Sequence, residues 1–127
     1  MIGEGFCSAS DVGELHLLNC RVNNLTGDRE RIRIGRCCNI AASILLDAQG
    51  SVVIGDYVYF NSDGFLRIVH GLRIGSHCLF GPDVVIWDTD SHPLSRQKRH
   101  AQAERIAAGK ISPYEANGRP IEIGNDV

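Results

Sequence analysis

At 127 residues with 43% apolar and 22% charged positions, the chain has the length of one domain with a buried core. Thirteen basic against fifteen acidic residues leave a formal charge of −2, which supplies no cationic footprint for nucleic acid. No run reaches the length of a membrane span, and Met1-Ile2-Gly3-Glu4-Gly5-Phe6 lacks the basic and apolar regions of a signal peptide, so a cytoplasmic protein is expected.

Residues 1–31 read as an irregular N-terminal cap with room for one imperfect coil. Leu15, Leu17, Leu18, Val22 and Leu25 are apolar there, but they fall out of phase with the repeat that begins at Ile32. Residues 32–127 form the rest of a single domain, in which a period of twenty residues is marked by Ile34-Gly35, Ile54-Gly55 and Ile74-Gly75. Dividing each period into three hexads and a two-residue insert predicts three ladders: Ile34, Ile54, Ile74 and Ile123; Ile40, Phe60 and Phe80; Leu46, Leu66 and Ile86. All ten positions are apolar, which a 43% apolar chain would give by chance about 2 × 10⁻⁴ of the time for a fixed phase. Ile32, Val52, Leu72 and Ile121 add a fourth ladder two residues earlier. Three short sides and three bends per turn coil into a triangular prism whose strands pair with the coils above and below. Glycine after each isoleucine is expected to supply a positive φ at the bend. A β-sandwich of short strands has no need of the fixed period.

Cys38 and Cys78 fall in one column two coils apart, about 10 Å at strand spacing, which is too far for a disulfide. They read as small buried hydrophobes. Cys7, Cys20 and Cys37 form no Cys-x-x-Cys pair, so no zinc or redox motif is indicated.

After Ile86 the next Ile-Gly arrives about twenty-nine residues late, at Ile123-Gly124, so residues 88–119 read as an insertion. Ser95 is placed to cap a helix running through Ala108, with Gly109 as its stop. Arg96, Lys98, Arg99 and His100 cluster on it as a solvated basic face.

Ile74-Gly75-Ser76-His77-Cys78-Leu79-Phe80-Gly81-Pro82, then Asp90-Ser91-His92-Pro93-Leu94, then Pro120-Ile121-Glu122-Ile123-Gly124-Asn125-Asp126-Val127 resemble the central stretch of the hexapeptide-repeat sugar O-acetyltransferases. That family includes the maltose and galactoside enzymes and the capsular and lipopolysaccharide types. The resemblance implies an all-β, left-handed parallel β-helix with a long inserted loop. It also implies a homotrimer, acetyl-CoA as donor, a sugar or polysaccharide acceptor and no metal. The family's general base is the histidine before Pro-Leu, which here is His92. A neutral imidazole can take the proton of an acceptor hydroxyl as that hydroxyl attacks a thioester. Its second nitrogen needs an acceptor to hold the tautomer, for which Asp90 and Asp88 are the nearest candidates in sequence and a backbone carbonyl would also serve.

The segment Ile54 to Asp63 resembles the one from which the maltose and galactoside enzymes present an asparagine to the acceptor. Asn61 and Asp63 are thereby assigned to the acceptor site, and Asp88 joins them because the loop from Asp88 to Arg119 is expected to shape it. Turn chemistry is an equal reading of Asn61 and Asp63.

Two other readings stand beside this one. Val69-His70-Gly71 resembles a zinc-ligand stretch of γ-class carbonic anhydrases, although no further histidines fall at matching positions. Family members also continue beyond the position of Val127 with a tryptophan and further coils that hold coenzyme A, which reads this chain as C-terminally truncated. An inactive remnant, or a trimeric assembly module without cofactor binding, is therefore the alternative.

Overall fold

A computed structural model describes residues 8–9, 15–17, 21–110 and 117–127, the first two segments as backbone alone. Leu18, Cys7, Cys20 and residues 111–116 of the insertion lie outside the described residues. In chain order the strands are β1 (Ser8–Ala9), β2 (Leu15–Leu17), β3 (Val22–Asn24), β4 (Ile32–Ile34), β5 (Cys38–Ile40), β6 (Ser43–Leu46), β7 (Val52–Ile54), β8 (Tyr59–Phe60) and β9 (Phe65–Ile68). They continue with β10 (Leu72–Ile74), β11 (Leu79–Phe80), β12 (Val85–Trp87) and, beyond helix α1 (Arg96–Ala107), β13 (Ile121–Ile123). A 3₁₀ turn at Arg29–Arg31 precedes β4.

The chain visits three parallel sheets in rotation: β1-β4-β7-β10-β13, then β2-β5-β8-β11, then β3-β6-β9-β12. It is a parallel β-solenoid, a three-sided prism that carries one α-helix among the described residues. Every strand is too short to bury a face alone, so stability comes from stacking identical sides. The expected ladders on the first sheet hold in register: Ile34 beside Ile54 beside Ile74 beside Ile123, and Ile32 beside Val52 beside Leu72 beside Ile121. On the second sheet Ile40, Phe60 and Phe80 align, the two rings stacked at 4.2 Å between centroids. Each fully buried side chain of this size contributes about 1.5–3 kcal/mol.

The third sheet departs from the hexad register. Leu66 pairs with Ile44 and Ile86, while Leu46 pairs with Ile68. The corner between β5 and β6 has only Ala41-Ala42, where the next coil has Asn61-Ser62-Asp63-Gly64, and the following corner restores the lost residues. Ile44 and Leu46 are two apart on one strand and both face inward, so apolarity alone could not choose between them. The stretch before Arg31 also contributes one strand to each sheet: Leu17 aligns with Ile40 and Val22 with Ile44. Its offsets differ from twenty, which hides it from a periodic reading.

The corner between the first and second sheets repeats after β4, β7, β10 and β13, and its glycines serve a purpose other than the one expected. Positive φ falls two residues later, on Cys37, Tyr57, His77 and Asp126, at 56° to 61°. Gly55 is required by closeness instead: a Cβ there would come within 2.6 Å of Ser76 Oγ and 2.8 Å of the Gly75 carbonyl carbon. Gly35 and Gly75 are crowded in the same way by Asp56 and Asn125. These crowding side chains cap the backbone beneath them. The Arg36, Asp56 and Ser76 N–H groups donate to Asp56 Oδ1, Ser76 Oγ and Asn125 Oδ1, at 2.9, 3.0 and 2.8 Å. Just inside the corner, Cys38 and Cys78 are buried free thiols, as expected. Burial pushes the Cys38 thiol up from its ordinary value, and its Sγ donates to the Gly55 carbonyl at 3.1 Å.

Candidate active site

The period breaks after β12, at the corner between the third and first sheets. In the coil below, the N–H groups of Val69, His70 and Gly71 converge. Asp88 answers them from above: Oδ1 accepts from Val69 at 2.8 Å, and Oδ2 accepts from His70 at 2.7 Å and Gly71 at 2.9 Å. Asp88 is 4% exposed, so its carboxylate completes the corner with no face turned to solvent. It anchors the point where the chain leaves the prism.

The two legs of the insertion meet just above. Thr89 bridges Gly118 in antiparallel fashion, the Asp90 N–H donates to the Asn117 carbonyl at 2.8 Å, and the Arg119 N–H donates to the Asp88 carbonyl at 3.1 Å. Gly118 has to be glycine, because a Cβ would meet the His70 ring at 2.7 Å. His70 therefore packs against the returning leg, His77 sits at the far corner, and His100 lies on α1. Among the described residues no group of three or more His, Cys, Asp or Glu is placed to hold a metal.

Trp87, Asp88, Thr89, Asp90, Asn117, Gly118, Arg119 and Ile121 line a cleft of about 560 Å³ at the base of these legs. Trp87 is 44% exposed, with its ring edge-on to Phe65 and its Nε1–H donating to Thr89 Oγ1 at 3.2 Å. Thr89 Oγ1 also accepts the Ser91 N–H at 3.1 Å. The cleft thus joins an aromatic face to a carboxylate, an amide and a guanidinium. That combination suits a polyhydroxylated ligand with one apolar and several polar faces.

His92 is exposed and follows two residues after Asp90, outside the cleft lining. Its N–H donates to the Asp90 carbonyl at 2.6 Å, closing a γ-turn around Ser91, whose φ is 62°. This turn is strained for a residue with a side chain. Asp90 thus reaches His92 through its backbone. The imidazole's partner is Gln102 of α1: Nδ1 lies 2.7 Å from Gln102 Oε1, whereas the sequence points to Asp90 and Asp88. The helix forms as expected, Ser95 accepting from the Lys98 N–H and Gly109 following at φ 70°.

Asn61 and Asp63 lie elsewhere, at the corner between the second and third sheets. Asn61 Oδ1 accepts the neighbouring Ser62 N–H at 2.7 Å, and Asp63 has φ 62°. The four-residue strand β9 spans the face between that corner and the next, roughly 13 Å. Asp88, Asp90 and His92 thus share one corner of the prism, with the Asp88 carboxylate turned to the coil below and His92 to α1, while Asn61 and Asp63 lie at another corner.

Sequence reasoning missed Gln102, Trp87, Asn117 and Arg119. The chain's sole tryptophan, set where the period fails, was a usable signal for Trp87. Gln102 carried none, since one glutamine on a polar helix is unremarkable until folding brings it to His92. Among the described residues no helix is long and apolar enough to cross a membrane. No family model matches the chain, and no solved structure matches it.

Proposed function

We propose that the protein is an O-acetyltransferase that moves an acetyl group from acetyl-CoA to a sugar or polysaccharide hydroxyl, with His92 as general base. The observation that carries this reading is an exposed imidazole two residues beyond the cleft-lining Asp90, its Nδ1 engaged by a neighbouring amide and its second nitrogen left for substrate. The acceptor lies in the cleft, a sugar ring against Trp87 and its hydroxyls toward Asp90, Asn117 and Arg119. His92 Nε2 takes the hydroxyl proton as the oxygen attacks the thioester carbonyl; collapse of the tetrahedral adduct expels the thiolate of coenzyme A, which recovers the proton. Asp88 keeps a supporting part, holding the corner from which the loop departs.

The working unit in this reading is a homotrimer of left-handed coils. Support comes from the division of the candidate residues between two edges, because a neighbouring prism can bring its Asn61 and Asp63 edge against His92. The test is acetyl transfer from acetyl-CoA to a panel of sugars by the native chain and His92→Ala. Loss of the base is expected to lower kcat by about 10²- to 10⁴-fold. Equal rates would remove His92 from the mechanism, and absence of acetyl-CoA binding by calorimetry would remove the reaction.

A further inference from the structure

We infer that Gln102 is a positioning residue that fixes the tautomer of His92, an assignment whose catalytic meaning rests on His92 being the base. The argument is one of donors and acceptors. Gln102 makes two contacts with the loop: Nε2 lies 3.3 Å from the Ser91 carbonyl and Oε1 lies 2.7 Å from His92 Nδ1. The Ser91 carbonyl can only accept, so it must face the amide nitrogen. That leaves the amide oxygen facing the imidazole, and an oxygen acceptor requires the proton to be on Nδ1. Nε2 is then bare and able to receive a proton. The opposite orientation would set two carbonyl oxygens against each other at Ser91.

Helix α1 is suited to this one task. It has no buried residue, so it adds nothing to the prism's core. Besides Gln102, Arg99 reaches the same loop, its guanidinium donating to the Pro93 carbonyl at 3.2 Å and to the Leu94 carbonyl. The helix thus grips the chain on both sides of His92, at Ser91 and at Pro93-Leu94. An exposed histidine on a free loop would choose between tautomers; this one is held to the form a base needs.

The test reads the tautomer directly, by two-bond proton–nitrogen correlation on isotope-labelled histidine, with His92→Ala identifying the signal among the five histidines. The native protein is expected to show a protonated Nδ1 and a bare Nε2. Gln102→Leu is expected to shift His92 toward the Nε2–H form that free histidine prefers, and to lower kcat roughly 10- to 100-fold with KM unchanged, the scale for removing the partner of a functional imidazole. Gln102→Glu, which keeps an acceptor for Nδ1 but loses the donor to the Ser91 carbonyl, is expected to retain a protonated Nδ1 while loosening the loop at Ser91. A native His92 protonated on Nε2, or a Gln102→Leu spectrum identical to the native one, would overturn the assignment whatever the activity. A protein without transferase activity whose Nδ1–H form still depends on Gln102 would uphold the positioning role and remove only the transfer reaction.

Discussion

The corner between the first and second sheets and the corner between the third and first handle the same problem differently. Each must turn the chain sharply while leaving no backbone N–H without a partner. The first solves it once and repeats the solution at Gly35, Gly55 and Gly75, each glycine pressed under the next coil, with a short acceptor side chain above it and a left-handed residue two positions on. The second never repeats: a turn at Asp47 to Gly50, then three N–H groups gathered by Asp88, then departure of the chain toward His92. Uniformity marks the edge that only has to stack. Variation marks the edge from which a loop can be launched, because there one side chain takes over a duty otherwise met by the coil above.

Three substitutions probe that contrast. Removing the gathered acceptor should cost most: Asp88→Ala strands three backbone donors, each worth about 1–3 kcal/mol when buried unpaired, so a loss of about 3 kcal/mol or more is expected in urea unfolding. A loss under about 1 kcal/mol would mean that water serves the corner as well as the carboxylate does. At the repeating corner, Gly55→Ala forces a methyl against Ser76 Oγ and the Gly75 backbone and should cost about 1–3 kcal/mol by the same measurement. A neutral result there would show that the coils can spread apart. The smallest effect concerns the left-handed position: Cys37 is exposed at φ 56°, and Cys37→Asn should raise stability by roughly 0.5 kcal/mol, since asparagine tolerates that conformation better. Destabilisation would mean that the thiol contributes something beyond occupying the turn.

The prism is legible in the sequence because its cause is repetitive: Ile34, Ile54, Ile74 and Ile123 lie over one another for the reason their spacing suggests. Two features defeat the period. Spacing alone makes Leu46 the partner of Leu66, because two inward residues on one strand are equally apolar and only the length of the Ala41-Ala42 corner separates them. The strands before Arg31 follow offsets that no fixed repeat detects. At the candidate site, residues close in sequence are legible and those close only in space are not. His92 carries a local signature in Pro93-Leu94; Gln102 reaches it across ten residues and a helix, and Arg119 reaches the cleft from the far leg of the loop. Asp88 stands out for its charge, but nothing in the sequence tells that its oxygens face the backbone of the previous coil.

The antiparallel bridge between Thr89 and Gly118, with β13 rejoining the first sheet in register, makes the excursion a cassette clamped at its base. Chain entropy favours such an arrangement, because stretching a twenty-residue turn to forty-nine raises its closure cost by only about 0.8 kcal/mol. Everything between the clamp points can therefore be exchanged or lengthened while the tube beneath keeps its fold, so new ligand preferences can evolve by grafting rather than by repacking.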